Sequence, residues 1–396
     1  MSAAGFPSCD TASVIAWLAD GARSAPTAQE VLTQLCDRLT DCGVPLWRVA
    51  VFVRTLHPQV MARRFLWRPG EAASVAEADF ERAATDEFRL SPITQVRSTA
   101  VSVRRRLADP LCPNDFPVLD ELRQEGVTDY LAAPLVFTDG EIHAASFTTR
   151  QEGGFSETQL AGLQAVIAPL ARVAEVRALR RIAVNLLDAY VGHSAGERIL
   201  AGHIRRGDSE TIRAVIWLSD MRGFTGLADS VPPQTLIALL NRFFDCLVPP
   251  VIEEGGEVLK FMGDGLLAIF PIGEGLQAGE VCGRALAAAK RARAELLAMR
   301  ADEIGGERIR FGLALHVGDT LYGNIGAGAR LDFTCIGPAV NKAARLEKLA
   351  AQLGRMIIAS HELACHLPGE FAPLGAFELR GFRSAETAYG LLDEAG

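Results

Sequence analysis

Between Glu257 and Phe270 the chain runs Glu-Val-Leu-Lys-Phe-Met-Gly-Asp-Gly-Leu-Leu-Ala-Ile-Phe, two apolar stretches around Gly263-Asp264-Gly265. Apolar runs broken only by a glycine-flanked aspartate specify a tight β-hairpin, because such a turn needs backbone conformations that glycine adopts without steric cost. Any fold open to this chain must therefore contain two adjacent antiparallel strands here. As turn chemistry alone, Asp264 needs no function. Lys260 is different: an unpaired ammonium is costly to bury in an apolar strand. Either its stem carries the charge out to water or the ammonium meets an acceptor.

Two further segments combine a strand pattern with residues that can do chemistry. Ala214 to Ser219 (Ala-Val-Ile-Trp-Leu-Ser) is a short apolar run of the kind that forms a strand buried on both faces. It leads into Asp220-Met221-Arg222-Gly223-Phe224-Thr225. A carboxylate there, beside a helix start, can hold a cation next to a phosphate-binding helix N-terminus; taken alone it is equally a turn residue or cap. The segment Arg330 to Glu347 reads as strand, turn and helix, with Pro338 near the first helical position. Period-two alternation puts Asp332, Thr334 and Ile336 on one strand face. On the helix, Ala339, Ala343, Leu346, Ala350 and Leu353 form an apolar stripe, and Asn341 and Arg345, four apart, lie roughly opposite it.

At 396 residues the chain is long enough for more than one core, and 49% hydrophobic with 22% charged residues is ordinary globular composition. A formal net charge of -8 and only short basic clusters (Arg104 to Arg106, Arg180-Arg181, Arg205-Arg206) argue against a nucleic-acid partner. The eight cysteines are scattered without CxxC spacing, which fits reduced thiols better than disulfides or zinc. Asp10 and Asp20 flank the only apolar stretch near the N-terminus, unlike a signal peptide, and no uninterrupted apolar run approaches the ~20 residues of a bilayer span. The expectation is a protein with no membrane span in the cytoplasm.

Three regions follow from the patterning: 13–155, a mixed helix and strand domain; 156–205, a helical connector; and 206–396. In the first, the sequence predicts a helix near Ala28 to Thr40 and strands at Arg48 to Arg54, Tyr130 to Phe137 and Glu141 to Thr149, the last two joined by Asp139-Gly140. In the connector, Ser156 is a candidate N-cap, and Leu160, Leu163, Ile167 and Leu170 have the 3-4-3 spacing of a parallel dimer seam or of a helix packed on its own domain. Pro169 lies within it and predicts a kink or restart, since an interior proline costs about 3 kcal/mol. A second helical stretch runs from Val173 to about Val191.

The stretch Val136 to Val166 resembles the closing hairpin and final helix of GAF-type domains, which implies a GAF-like α/β sensory domain receiving a small-molecule or protein stimulus. The chain from Ala214 to Leu392 resembles the catalytic domain of class III nucleotidyl cyclases in the order and spacing of the three segments above. Phe243 to Gly265 and Phe311 to Gly326 support the likeness. This resemblance implies an α+β protein whose C-terminal domain is ferredoxin-like. It implies two Mg²⁺ (or Mn²⁺) ions per site on Asp220 and Asp264, with the Met221 carbonyl as an extra ligand. It further implies adenine recognition by Lys260 and Thr334, ribose orientation by Asn341, and charge neutralisation at the α-phosphate by Arg345. The amides of Phe224 and Thr225 would meet the terminal phosphates, and Arg380 stands where the family usually has a triphosphate-binding lysine. Because family members build each site from two catalytic domains, a homodimer acting on ATP is implied. A guanylyl cyclase and an inactive nucleotide-binding dimerisation module are the alternatives.

Overall fold

The computed structural model describes residues 11–81, 85–299, 309–328 and 330–394. Cys9 and Asp10, used above in reading the N-terminus, lie outside them. The chain divides into two compact units, one up to Ala189 and one from Tyr190 onward.

The N-terminal unit contains helices α1 (Ala12–Ala19) and α2 (Ala28–Asp41), strands β1 (Arg48–Arg54), β2 (Ala62–Trp67) and β3 (Ser74–Ala78), and helices α3 (Asp86–Arg89) and α4 (Pro92–Thr99). It continues through β4 (Val103–Arg105), α5 (Val118–Gln124), β5 (Asp129–Val136), β6 (Ile142–Thr149) and α6 (Glu157–Val191). Its sheet has the order β3-β2-β1-β6-β5-β4, antiparallel at every step. Alternation on β6 divides two cores: Ala145 and Phe147 meet α1, α2 and α6, while Ala144 meets α4 and α5. Helix α2 begins where the sequence places it because Thr27 and Glu30 cap each other's amides. Strand β1 and the β5–β6 hairpin also fall at their expected positions.

Two expectations for the connector change. Ser156 does cap α6, accepting from the Gln159 amide at 3.2 Å. The helix then runs through Pro169 as one 35-residue element instead of restarting there. The Leu160, Leu163, Ile167 and Leu170 stripe is not free for a seam, because Leu163 and Leu170 are buried and Leu160 and Ile167 pack beside them in the core of their own unit. Helix α6 ends instead at Gly192, whose φ of 87° is left-handed and favours glycine.

The C-terminal unit continues with α7 (His193–Leu200), β7 (Ser209–Met221), α8 (Phe224–Ser230), α9 (Pro233–Glu253), β8 (Glu257–Met262), β9 (Gly265–Pro271) and α10 (Ala278–Ala298). Then come β10 (Phe311–Ala327), β11 (Arg330–Ile336), α11 (Pro338–Gln352), β12 (Ile357–Ser360), α12 (His361–Ala364), β13 (Phe371–Phe377) and β14 (Glu386–Leu391). The sheet order is β13-β14-β12-β10-β7-β9-β8, with β11 folded back on β10. The succession β7, helices, β8, β9, α10, β10 is the βαββαβ pattern of ferredoxin-like folds. Strand β7 is buried on both faces as its composition predicts. Val215 and Trp217 face α9 and α10, whereas Ala214 and Ile216 face α11.

Helix α9 is, among the described residues, the one helix long and apolar enough to cross a membrane, with a mean hydropathy of 1.5 over its most apolar 18 residues. Its inward face, Leu239, Phe243, Leu247 and Val251, is committed to the core beneath β7 and β9. The seven described cysteines are all free thiols.

Candidate active site

Asp220 stands at the end of β7, an interior strand of the sheet, and Asp264 in the turn of the β8–β9 hairpin, whose strand β9 pairs with β7. The two carboxyls come within hydrogen-bonding reach of each other. Gly265 makes the approach possible: a Cβ there would lie 3.3 Å from the Met262 and Ser219 carbonyls and 3.4 Å from Asp220 Oδ1. Burial first, then the charge of Asp264, pushes the Asp220 carboxyl up to about 7. Two partly desolvated carboxylates that repel each other are what a divalent cation relieves, so this donor pair fits an Mg²⁺- or Mn²⁺-type ion with oxygen preference. Beside them Arg222 Nη1 lies 3.3 Å from Glu347 Oε1 on α11. Arg222 Nη2 and Glu347 Oε1 are buried without a hydrogen-bond partner, so the pocket holds polar capacity that the chain itself does not satisfy.

Immediately after Asp220 the Met221 side chain is buried, which leaves its main chain as the group it can offer. Helix α8 starts at Phe224 after Gly223, so the amides of Phe224 and Thr225 belong to a first turn and have no intrahelical acceptor. Sequence and structure agree on this strand-to-helix turn.

Lys260 answers the question the sequence leaves open by doing both things. A bulge between Val258 and Lys260 shifts the register of β8, and the exposed ammonium donates to Asp332 Oδ2 on β11 at 2.5 Å. The Lys260 ammonium holds the Asp332 carboxyl below its usual range, first through that hydrogen bond. The side chains are 43% and 54% exposed, so the pair is worth about 1 kcal/mol or less and parks Lys260 without committing it. Strand β8 is less buried than its apolar composition predicts, with Phe261 and Met262 exposed, because it lies at the edge of the sheet. At its other end Glu257 accepts from the Tyr322 hydroxyl at 2.9 and 3.0 Å and pins the hairpin to β10.

Thr334 lies half-buried on the same face of β11 as Asp332, with Phe333 and Cys335 turned into the core, as alternation predicts. On α11 Ala339, Ala343, Leu346 and Ala350 are buried, while Leu353 falls past the helix end and is 38% exposed. Asn341 is exposed and Arg345 half-buried. Arg345 Nε donates to the Arg380 carbonyl at 3.3 Å, so the structure brings Arg345 and Arg380 together. Among the described residues no hydrogen bond or ion pair joins Asp220 or Asp264 to Lys260, Thr334, Asn341 or Arg345. One chain thus carries two groups of polar residues that do not meet each other directly.

A cluster that sequence reasoning missed anchors α11. Lys342, next to Asn341, is buried and donates to Glu362 and Glu386 at 2.6 Å each. Beneath it His316 on β10 contacts Ser360 at 2.9 Å, and burial lowers its pKa to about 4. Because the unfolded imidazole titrates near 6.5, the unfolded chain takes up this proton first, and stability is lost as pH falls from about 6.5 to about 4. Between pH 7 and pH 5 His316 should remove about 2 kcal/mol. Urea midpoints at both pH values, compared with those of His316→Asn, measure that share; equal pH slopes in the two proteins would refute it.

Comparison with known proteins places this half of the chain. Residues 209–393 match the family model described as adenylate and guanylate cyclase catalytic domain. A 175-residue stretch is 31% identical to adenylate cyclase 1 of Rhizobium meliloti (strain 1021), covering 43% of this chain and 26% of that protein. A 168-residue stretch is 31% identical to an adenylate cyclase of Anabaena cylindrica, covering 42% and 33%. The match thus spans about a quarter to a third of these relatives' own length. Among solved structures, a bacterial light-regulated adenylyl cyclase is 28% identical over 46% of this chain and 92% of its own, with a TM-score of 0.41. The part of the chain from residue 209 to residue 393 is thus similar to the adenylate and guanylate cyclase catalytic domain.

Proposed function

We propose that this chain is an adenylyl cyclase, converting ATP to 3′,5′-cyclic AMP and pyrophosphate at sites shared between two copies. The observation that carries the reading is the facing pair Asp220 and Asp264, on a hairpin whose Lys260 is bonded to β11, the strand that carries Thr334. Two divalent ions, when bound, lower the pKa of the ribose 3′-hydroxyl and neutralise the triphosphate. Asp220 and Asp264 hold them, with the Met221 carbonyl. The first-turn amides of α8 and the Arg380 guanidinium receive the terminal phosphates. Asn341 orients the ribose, and Arg345, with its permanent charge and forked donors, meets the negative charge that develops at the α-phosphate. No covalent nucleophile is required, since positioning and electrostatics carry such a transfer.

Base choice follows from donor polarity. The Lys260 ammonium donates to adenine N1 and the Thr334 hydroxyl accepts from the N6 amine, whereas guanine presents a donor at N1 and an acceptor at O6. The dimer reading follows the family resemblance, in which two catalytic domains build each site. Exposed apolar side chains near the site support it further: Phe261, Met262, and Leu321 paired across the ladder with Ile336. On α6 the exposed residues Val176, Leu179, Ala183 and Leu186 repeat at 3-4-3 spacing, with β-branched Val at an a position and Leu at both d positions, the pattern of a parallel two-stranded seam. That stretch of α6 closes the N-terminal unit, read as GAF-like and regulatory, and the seven described cysteines, all free thiols, suit the reducing cytoplasm.

The deciding experiment incubates the purified chain with equal ATP and GTP and Mg²⁺ or Mn²⁺, and quantifies both cyclic products. Cyclic AMP should dominate. A preference for GTP would establish the guanylyl alternative, and neither product would establish a non-enzymatic module. In the same assay, a fragment from Val191 onward should differ from the full chain in activity or dimer affinity; unchanged values would remove the regulatory role of the N-terminal unit.

A further inference from the structure

The N-terminal unit contains a hollow of about 770 Å³ between α2, α6 and strands β1 to β3, within the size range of small-molecule sites. Its floor is aliphatic, with Leu32, Val51, Val53 and Val173 all buried and Phe65 as the one aromatic ring. A floor of this kind offers no stacking platform for a nucleobase and few hydrogen bonds. Its rim is strongly cationic: Arg54, Arg63, Arg177, Arg180 and Arg181 line it against a single acid, Glu77. Glu77 is engaged by Arg63, whose Nε–H stays buried without a partner. Arg177 is spent on the carbonyls of Ala25 and Pro26. Arg54, last residue of β1, turns to the other face of the sheet beside Arg97, whereas Arg180 and Arg181 on α6 have no acidic partner among the described residues.

We propose that this hollow binds a single-chain amphipathic anion, its alkyl chain on the aliphatic floor and its head group at Arg180 and Arg181. An apolar floor alone would take any greasy molecule. Two uncommitted guanidiniums at its mouth, Arg180 and Arg181, select an anionic head, because they are paired by it and repel a cation. The site deepens the regulatory reading of the N-terminal unit, since both of those arginines sit on α6. Its test reads binding rather than catalysis, so its failure and that of the cyclase reading are separate events.

The experiment is calorimetric titration of the full chain with laurate below its micelle concentration. Saturable binding of one laurate per chain is expected. Shortening the chain by two methylenes to decanoate should weaken it about fifteenfold, because each buried methylene contributes about fourfold. Arg180→Glu with Arg181→Glu should weaken laurate at least about tenfold. Ala174→Trp, which fills the floor, should abolish binding and serves if the charge reversal impairs folding. Dodecyltrimethylammonium should not saturate. The proposal is overturned if laurate does not saturate, if the cationic detergent binds as well, or if well-folded variants bind like wild type. It is also overturned if Ala174→Trp leaves laurate binding intact and instead shifts the sedimenting species from dimer to monomer, for a second copy of the chain would then be what covers the hollow.

Discussion

Replacing Asp264 with alanine should lower cyclic AMP formation by at least about a thousandfold, a loss of some 4 kcal/mol of transition-state stabilisation. The fold should survive. Asp264 occupies a hairpin turn, and its charge raises the pKa of the Asp220 carboxyl, so its removal relieves repulsion and leaves the melting temperature unchanged or slightly higher. The loss would therefore be chemical and not structural. Arg345→Ala should also be inactive, by removing the guanidinium at the reacting phosphate. Mixing the two inactive proteins is more informative than either alone. If each site draws its aspartates from one copy and its arginine from the other, half of the dimers are mixed and one of their two sites is intact. Activity should return to about a quarter of wild type. No recovery after subunit exchange would place both groups in one copy and remove the shared-site reading.

Lys260→Glu should reverse the base preference, lowering kcat/KM for ATP at least about a hundredfold, since a site built around a polar contact rejects the base that mismatches it. The structure adds a condition that the sequence does not suggest. Asp332, now bonded to Lys260, would face a second carboxylate, and like charges at that distance repel. The single variant should thus be poor with both nucleotides. The exchange Lys260→Glu with Asp332→Lys should keep the ion pair and recover turnover of GTP relative to ATP. Competitive assays of the three proteins decide this; a single variant that already prefers GTP at wild-type rates would show that Asp332 plays no part.

The elements that the sequence specifies well are those decided by neighbours in the chain. Thr27 and Glu30 cap α2 from three residues apart, the Gly263-Asp264-Gly265 turn closes a hairpin on itself, and Pro338 opens α11. Asp220, Asp264, Lys260, Thr334, Asn341 and Arg345 take their expected places on a strand end, a turn, a strand or a helix for the same reason, while the roles proposed for them come from the family resemblance. Where the sequence left alternatives open, partners remote in sequence decided. The stripe at Leu160, Leu163, Ile167 and Leu170 has seam spacing, but spacing cannot say which apolar surface it meets, and the sheet of its own unit takes it. Pro169 costs α6 a hydrogen bond without ending it, because packing on that sheet holds the helix together.

By itself, then, the amino-acid sequence determined the hairpin, the buried strand that ends in Asp220, the helix that carries Asn341 and Arg345, and the kind of chemistry these residues can do. Only the tertiary structure decided which of them meet. The 72 residues between Lys260 and Asp332, the strand and helix that bring Arg222 to Glu347, and the stacking of α2 and α6 over an arginine-rimmed hollow are matters of sheet order and register. The physical reason is that periodicity and turn preference act over a few residues. Burial and charge pairing instead act between whichever surfaces the sheet has already brought together.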